Sequence, residues 1–458
     1  MKFVARGMLR RLVAASLLAS TAFTAQAESL TDALIGAYLN SDLLDQQRAL
    51  LRATDEDVAS AVAALRPIVN YTANASLSTP EPQLGNPTAN LGIAVEMLLY
   101  DFGASQLAID QVEATVLATR AALTSVEQQV LLRAVAAFVE VRKAEALVAL
   151  SQNNVRFITQ ERRAAQDRFD VGEVTRTDVS LADARLAAAR AALAAQQGAL
   201  VRAREEYRAA IGRFPGPLTA PRGMPSLPPS LEAAKSLARD KHPDIDQAQR
   251  QVTAAEFGVA RAEAGLRPSL RGSASARLNR NSDASASVGV TLSGPIYQGG
   301  GISAAIRKAA AQRDAARSGL LSTVLGIEQN VGNAWADLVV AAASLEANDR
   351  QVAAAQLALD GLREELRLGA RTTLDVLDQE QELLDARTDR INTENDRLLA
   401  VYALLSSMGF LTVDHLGLNV PTYDPEAYFN TVRTAPTVRV SPEGERLDRV
   451  LRAIGRQE

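Results

Sequence analysis

Two aspartates three residues apart, Asp375 and Asp378, lie in the stretch LGARTTLDVLDQEQELLDAR at 368–387, directly after a glycine and a pair of threonines. Three kinds of chemistry suit such a pair. Two carboxylates can serve as acid and base in glycoside hydrolysis. Carboxylates on one helix face can gather cations at a passage. Either can also cap the N-terminus of a helix. The first is the poorest fit, because the pair lies on a turn between helices and the chain is only 4% aromatic, with no sugar-stacking cleft evident. No catalytic residue is assigned, and the chain reads as a non-enzyme. Thr372 with Asp375 has the form of a cap, and Thr175 with Asp178 repeats it. A carboxylate there also complements the positive end of the helix dipole. Asp378 is a full turn further in, on nearly the same face as Asp375, and capping does not account for it. Around a shared axis the pair would form an acidic ring that concentrates cations.

Composition narrows the other chemistry. There is no cysteine, and His242 and His415 are the only imidazoles, so neither a disulfide framework nor a His/Cys metal site is expected, and no cofactor is implied. The chain opens with Lys2, Arg6, Arg10 and Arg11, runs through LVAASLLASTAF and reaches AQA at 25–27, which reads as a secretory signal over 1–27. Its removal takes the formal net charge of −4 four units further negative. A nucleic-acid partner would need a basic surface. No later run approaches the roughly 18 apolar residues of a membrane-spanning helix. If the chain crosses a membrane, strands must do it.

The elements that position the acidic pair occur twice. LRP at 65–67 recurs at 266–268, and Gly92, Tyr100, Phe138, Gly172, Asp178 and Gly212 have counterparts 197 residues on, at Gly289, Tyr297, Trp335, Gly369, Asp375 and Gly409. We expect a first repeat over 28–212 and a second over 230–411. The proline-rich segment 213–229 separates them, and a polar, flexible tail follows over 412–458. In each repeat two period-2 runs read as strands, about 68–78 and 90–98, then 269–279 and 284–293. One face is apolar (Val69, Tyr71, Leu91, Ile93, Val288, Val290) and the other polar (Asn70, Thr72, Arg271, Ser273, Ser287). At roughly 10 residues each, they can span a bilayer when tilted.

Proline-free, alanine-rich stretches at about 105–171 and 303–368 predict helices of roughly 65 residues, about 100 Å long. In the second, Leu320, Val324, Ile327, Val331, Ala334, Leu338, Ala341 and Leu345 recur at alternating spacings of 4 and 3, a coiled-coil seam. Gly172 and Gly369 suit the left-handed position that ends each long helix at a hairpin tip. Return helices follow at about 175–211 and 372–408, with shorter amphipathic segments at 29–65 and 231–265. Phe138 and Trp335 read as helical packing, and Tyr100 and Tyr297 as interfacial aromatics after strands. The fold class is mainly α with transmembrane β. One chain supplies four strands, whereas a closed membrane barrel needs about eight or more, so copies must share one barrel. Strand count alone leaves two copies or three open.

GARTTLDVLDQEQELLDAR, with its partner GEVTRTDVSLADARLAAAR, resembles the outer-membrane efflux protein family typified by TolC, over about residues 29–411; the extension into the ELLDAR segment is similar to the branch that serves type I secretion. The resemblance implies a homotrimer with a twelve-stranded outer-membrane barrel and an α-helical tunnel, working as the exit duct of a tripartite machine. Its implied partners are a periplasmic adaptor and an inner-membrane ABC transporter, or a proton-driven pump in the alternative reading of a small-molecule efflux channel. It also implies that Asp375 and Asp378 line the tunnel entrance and that Arg371, Thr177 and Asp178 take part in the ties that hold it shut. Two lock positions depart from the family pattern: Leu366 stands where some members have an aromatic, and Glu394 where they have an arginine, with Arg390 and Arg397 on either side. A reading of a different class is a soluble periplasmic coiled-coil adaptor or scaffold.

Overall fold

In the computed structural model, residues 28–77, 87–221, 223–279 and 283–433 are described; the expected signal, the strand-connecting loops and the last part of the expected tail lie outside these. The order is α1 (Leu30–Leu39), α2 (Asp42–Ala63), β1 (Ile68–Leu77), β2 (Pro87–Tyr100), α3 (Ala104–Asp170), α4 (Arg176–Ile211), α5 (Leu231–Lys241), α6 (Pro243–Ala264), β3 (Ser269–Asn279), β4 (Ala284–Ser293), α7 (Gly301–Arg367), α8 (Thr373–Ser407) and α9 (Pro425–Val432). Helices α3 and α7 are 67 residues each. No described helix is long and apolar enough to cross a membrane.

The strands form one antiparallel sheet in the order β1-β2-β3-β4. The register holds the two faces apart: Asn70 opposes Ala94, Ala94 opposes Ser275 and Ser275 opposes Ser287, all on the polar side. There the Ser275 and Ser287 hydroxyls meet at 2.9 Å. On the other side Tyr71 is 83% exposed and Val288 86%, beside exposed Val69, Leu91, Ile93, Val290 and Leu292. Neither β1 nor β4 has a second strand partner among the described residues. The internal β2–β3 pair joins the two repeats.

The chain divides into two compact units. One contains the sheet, α2, α5, α6, α9 and the sheet-proximal parts of α3 and α7. In it Asp101 starts α3 by accepting from Gly103 N at 3.1 Å and Ser105 N at 2.7 Å. Gln128 Nε2 and Glu127 Oε1 on α3 hold the end of α8, the first donating to Gly409 O at 2.9 Å and the second accepting from Val413 N at 2.7 Å. Gly409 must be glycine: its φ is 86°, and a Cβ would stand 2.8 Å from His242 Cα. The two amphipathic segments are each broken in two, by Ser41 capping α2 and by Pro243 at the first turn of α6.

The tail differs from its sequence reading. Asp424 caps a helix with Pro425 in its first turn, and Tyr423 and Phe429 pack on the buried cluster Leu51, Val58 and Val116. Arg120 lies over the Phe429 ring, 5.1 Å from its centroid. Val413, Leu418 and Val432 of this segment are buried as well. In the same unit Asp55 is fully buried, and neither carboxylate oxygen has a hydrogen-bond partner among the described residues.

Burial pushes the Asp55 carboxyl up to about 6, against the attraction of Arg120 and with the help of neighbouring Glu56. The folded-state value therefore exceeds the unfolded one, so stability is greatest below the ordinary carboxylate range and is lost as pH rises towards about 6. Holding Asp55 ionised at neutral pH costs on the order of 3 kcal/mol. Asp55→Asn should raise the melting temperature at pH 7.5 and leave it nearly unchanged at pH 4. A uniform shift at both pH values would contradict this.

Candidate functional site

The other unit carries both hairpin tips, with α4, the tip-proximal parts of α3 and α7, and most of α8. Each long helix stops by the same geometry. Gly172 (φ 82°) donates to Phe169 O at 2.9 Å while Glu173 N reaches Arg168 O at 2.9 Å; Gly369 (φ 77°) donates to Leu366 O at 3.0 Å while Ala370 N reaches Glu365 O at 2.9 Å. These paired bonds close a helix around a left-handed glycine.

The return helices start on matching capping boxes. Asp178 Oδ2 accepts from Thr175 N at 2.8 Å and Thr175 Oγ1 at 2.7 Å, and Thr175 Oγ1 accepts from Asp178 N at 3.3 Å. Asp375 and Thr372 repeat this at 2.9, 2.8 and 3.3 Å. These bonds hold both carboxyls below the usual carboxylate range: for Asp178 the Thr175 hydroxyl is the larger cause, for Asp375 the Thr372 backbone N–H, with Arg371 adding attraction. Both aspartates are therefore ionised caps at neutral pH.

Asp378 is differently placed. Its Oδ1 accepts from Arg185 Nη2 at 2.6 Å, an ion pair from α8 to α4 and so from one hairpin to the other. Beneath it Leu377 packs with Ile158 of α3 and Ala182, Leu186 and Ala189 of α4. Arg371 turns back on its own hairpin, its Nε 2.9 Å from Glu365 Oε2. Thr177 is exposed and makes no side-chain hydrogen bond among the described residues. The structure thus brings Asp378 to Arg185, and does not bring Arg371 to Thr177 or Asp178 within the chain.

The two departures from the family lock have local roles. Leu366 packs against the cluster of Ala355, Leu359, Val376 and Leu383 that closes the α7–α8 hairpin. Glu394 accepts from Arg390 Nη1 at 3.3 Å, while Arg390 Nε holds Asp349 Oδ1 at 2.6 Å across the same hairpin. Sequence reasoning missed Arg185 and also Glu380, a buried carboxyl on α8 pushed up by burial and only partly relieved by Arg363 and Arg387. Neither has a local motif; Arg185 is one arginine among several on α4. Phe138 is fully buried, whereas Trp335 is half-buried. Among the described residues no group of three metal-ligating side chains comes together.

Residues 35–213 and 234–410 match the family model for outer membrane efflux proteins. The outer membrane efflux protein BepC of Brucella suis is 36% identical over 444 residues, 94% of this chain and 97% of that protein. The alkaline protease secretion protein AprF of Pseudomonas aeruginosa is 26% identical over 60% of both chains. The solved structure of CusC, described in terms of transmembrane channel formation, shares the fold with a TM-score of 0.76 at 18% identity, over 84% of this chain and 92% of that one.

The Arg185–Asp378 pair is exposed, so its coupling is small. A double-mutant cycle with Arg185→Ala and Asp378→Ala should give about 0.2–1 kcal/mol in thermal stability. A value indistinguishable from zero would remove it as a tie between hairpins.

Proposed function

The chain belongs to the outer membrane efflux protein family, and from that premise we propose that three copies close one twelve-stranded barrel in the outer membrane, continued by an α-helical tunnel, as the exit duct of a type I secretion system. The observation that carries this reading is the sheet: four strands, apolar and exposed on one face, polar on the other, with both edges unpaired among the described residues. In lipid each unpaired backbone group costs several kcal/mol, and closure with other copies removes that cost. Three copies give twelve strands and a lumen wide enough for water. The apolar face then meets lipid, and the polar serines and asparagines line the passage.

Secretion is favoured by the extended tip motif and by the likeness to a protease secretion protein. Drug or metabolite efflux is the second reading, supported by the likeness to BepC, which is described as an efflux protein. Both need a periplasmic adaptor and an inner-membrane transporter. The soluble-scaffold reading is set aside, because such a protein would not leave a whole sheet face of valine, isoleucine, leucine and tyrosine exposed.

At the tunnel mouth Asp375 and Asp378 of three copies form an acidic ring, with Asp378 offset in each copy by Arg185. Thr177, Asp178 and Arg371 tie neighbouring copies in the closed state, Thr177 and Arg371 being exposed for that contact. Opening releases α8 from α4 once adaptor contacts replace these ties.

In planar bilayers the protein should form low-conductance pores blocked by multivalent cations, and Asp375→Ala with Asp378→Ala should relieve the block. Arg185→Gln, which frees Asp378, should tighten the block by up to about fivefold. An unchanged block in the double variant would remove the acidic ring from the account. Arg371→Ser should raise the resting conductance; leakage at the unmodified level would show that Arg371 is not part of the latch.

A further inference from the structure

The polar face of the sheet carries three charged side chains among its described residues: Glu96 on β2, and Arg271 and Arg277 on β3. The register divides them. Glu96 stands opposite Ser273, so Arg271 is its diagonal neighbour two residues along, at about 7–8 Å, where opposite charges partly offset each other. Arg277 lies four residues from Ser273 in the other direction, about 13 Å at the rise of a strand, and no carboxylate on the described strands stands near it on that face. Its cross-strand partners are Gly92 and Ser285. A Cβ on Gly92 would be 3.1 Å from Arg277 Cγ and 3.1 Å from Thr72 Oγ1, so the arginine stem lies across the position that offers no side chain. Asp283, just beyond the strand, is engaged in the hairpin turn: its Oδ2 accepts from Asn279 Nδ2 at 3.0 Å and its N donates to Asn279 Oδ1 at 2.9 Å.

We propose that Arg277 gives the barrel lumen a preference for anions and for anionic groups on cargo. This rests on the trimeric barrel reading, in which closure sets three copies of Arg277 around one aqueous axis while Glu96 and Arg271 partly offset each other. A ring of fixed positive charge in a low-dielectric wall raises the local concentration of anions. The range is set by salt: about 8 Å at 0.15 M and about 30 Å at 0.01 M. The preference is therefore strongest in dilute electrolyte.

The test is the reversal potential of the full-length protein carrying Asp375→Ala and Asp378→Ala, so that the acidic ring at the tunnel mouth does not set the permeability ratio, in planar bilayers under a KCl gradient with the dilute side near about 0.01 M. Arg277→Gln should lower the Cl−/K+ permeability ratio by roughly two- to threefold, Arg277→Lys should keep it, and Glu96→Gln should raise it; all differences should shrink in concentrated salt. A ratio unmoved by Arg277→Gln in dilute salt overturns the assignment, as does an equal fall in Arg277→Lys, which would trace the effect to packing over Gly92 rather than to charge. Absence of pores from the unmodified protein would overturn the barrel reading together with this one, whereas pores with an unmoved ratio overturn this one alone.

Discussion

Everything in the sheet-bearing unit answers to one constraint: a strand in lipid cannot leave its edge amides unpaired. The sheet has two such edges, β1 and β4, and four strands are too few to curl round and meet. Ordinary sheets blunt their edges with charge, proline or bulges. Here the single register shift lies in β2 between Leu98 and Tyr100, away from either edge, and neither β1 nor β4 carries a charged residue or a proline. An edge left open in this way is built to be completed by another chain. The same demand sets the side-chain pattern, since closure gives each face one environment along its whole length.

In the tip-bearing unit the constraint is different: two long helices must turn back at one place. The duplication meets it twice with the same parts, a left-handed glycine followed by a threonine-aspartate box. Asp178 and Asp375 therefore hold structure first. Any role they have in a passage is superimposed on that of a cap, and replacing either one changes the helix start as well as the charge. Asp378 is free of this double duty, and its carboxylate instead joins the two hairpins through Arg185.

Much of the fold was legible because its signals are periodic and repeated. Alternation in the strands, the seam in α7 and the shared 197-residue offset each mark an element without knowledge of any partner. The tip glycines and boxes were legible because they are local. What sequence could not supply was contact between distant segments. Arg185 and Asp378 are 193 residues apart, and nothing in either neighbourhood names the other. Beyond 412 no sustained helical or strand periodicity shows, so 412–433 looked like a tail, yet Tyr423 and Phe429 seat it on α2 and α3. Asp55, which no sequence signal marks, is fully buried in the same unit.

The central claim is that β1 of one chain pairs with β4 of the next around a closed ring of three. The chain has no cysteine, so an engineered pair reports without background. Cysteines placed in turn at Val69, Tyr71 or Ala73 on β1, each with one at Val288 or Val290 on β4, should for the pairs in register form disulfides in the outer membrane, giving a denatured ladder that stops at three chains. A ladder that stops at two, or cross-links confined within single chains at every pair, would contradict the account.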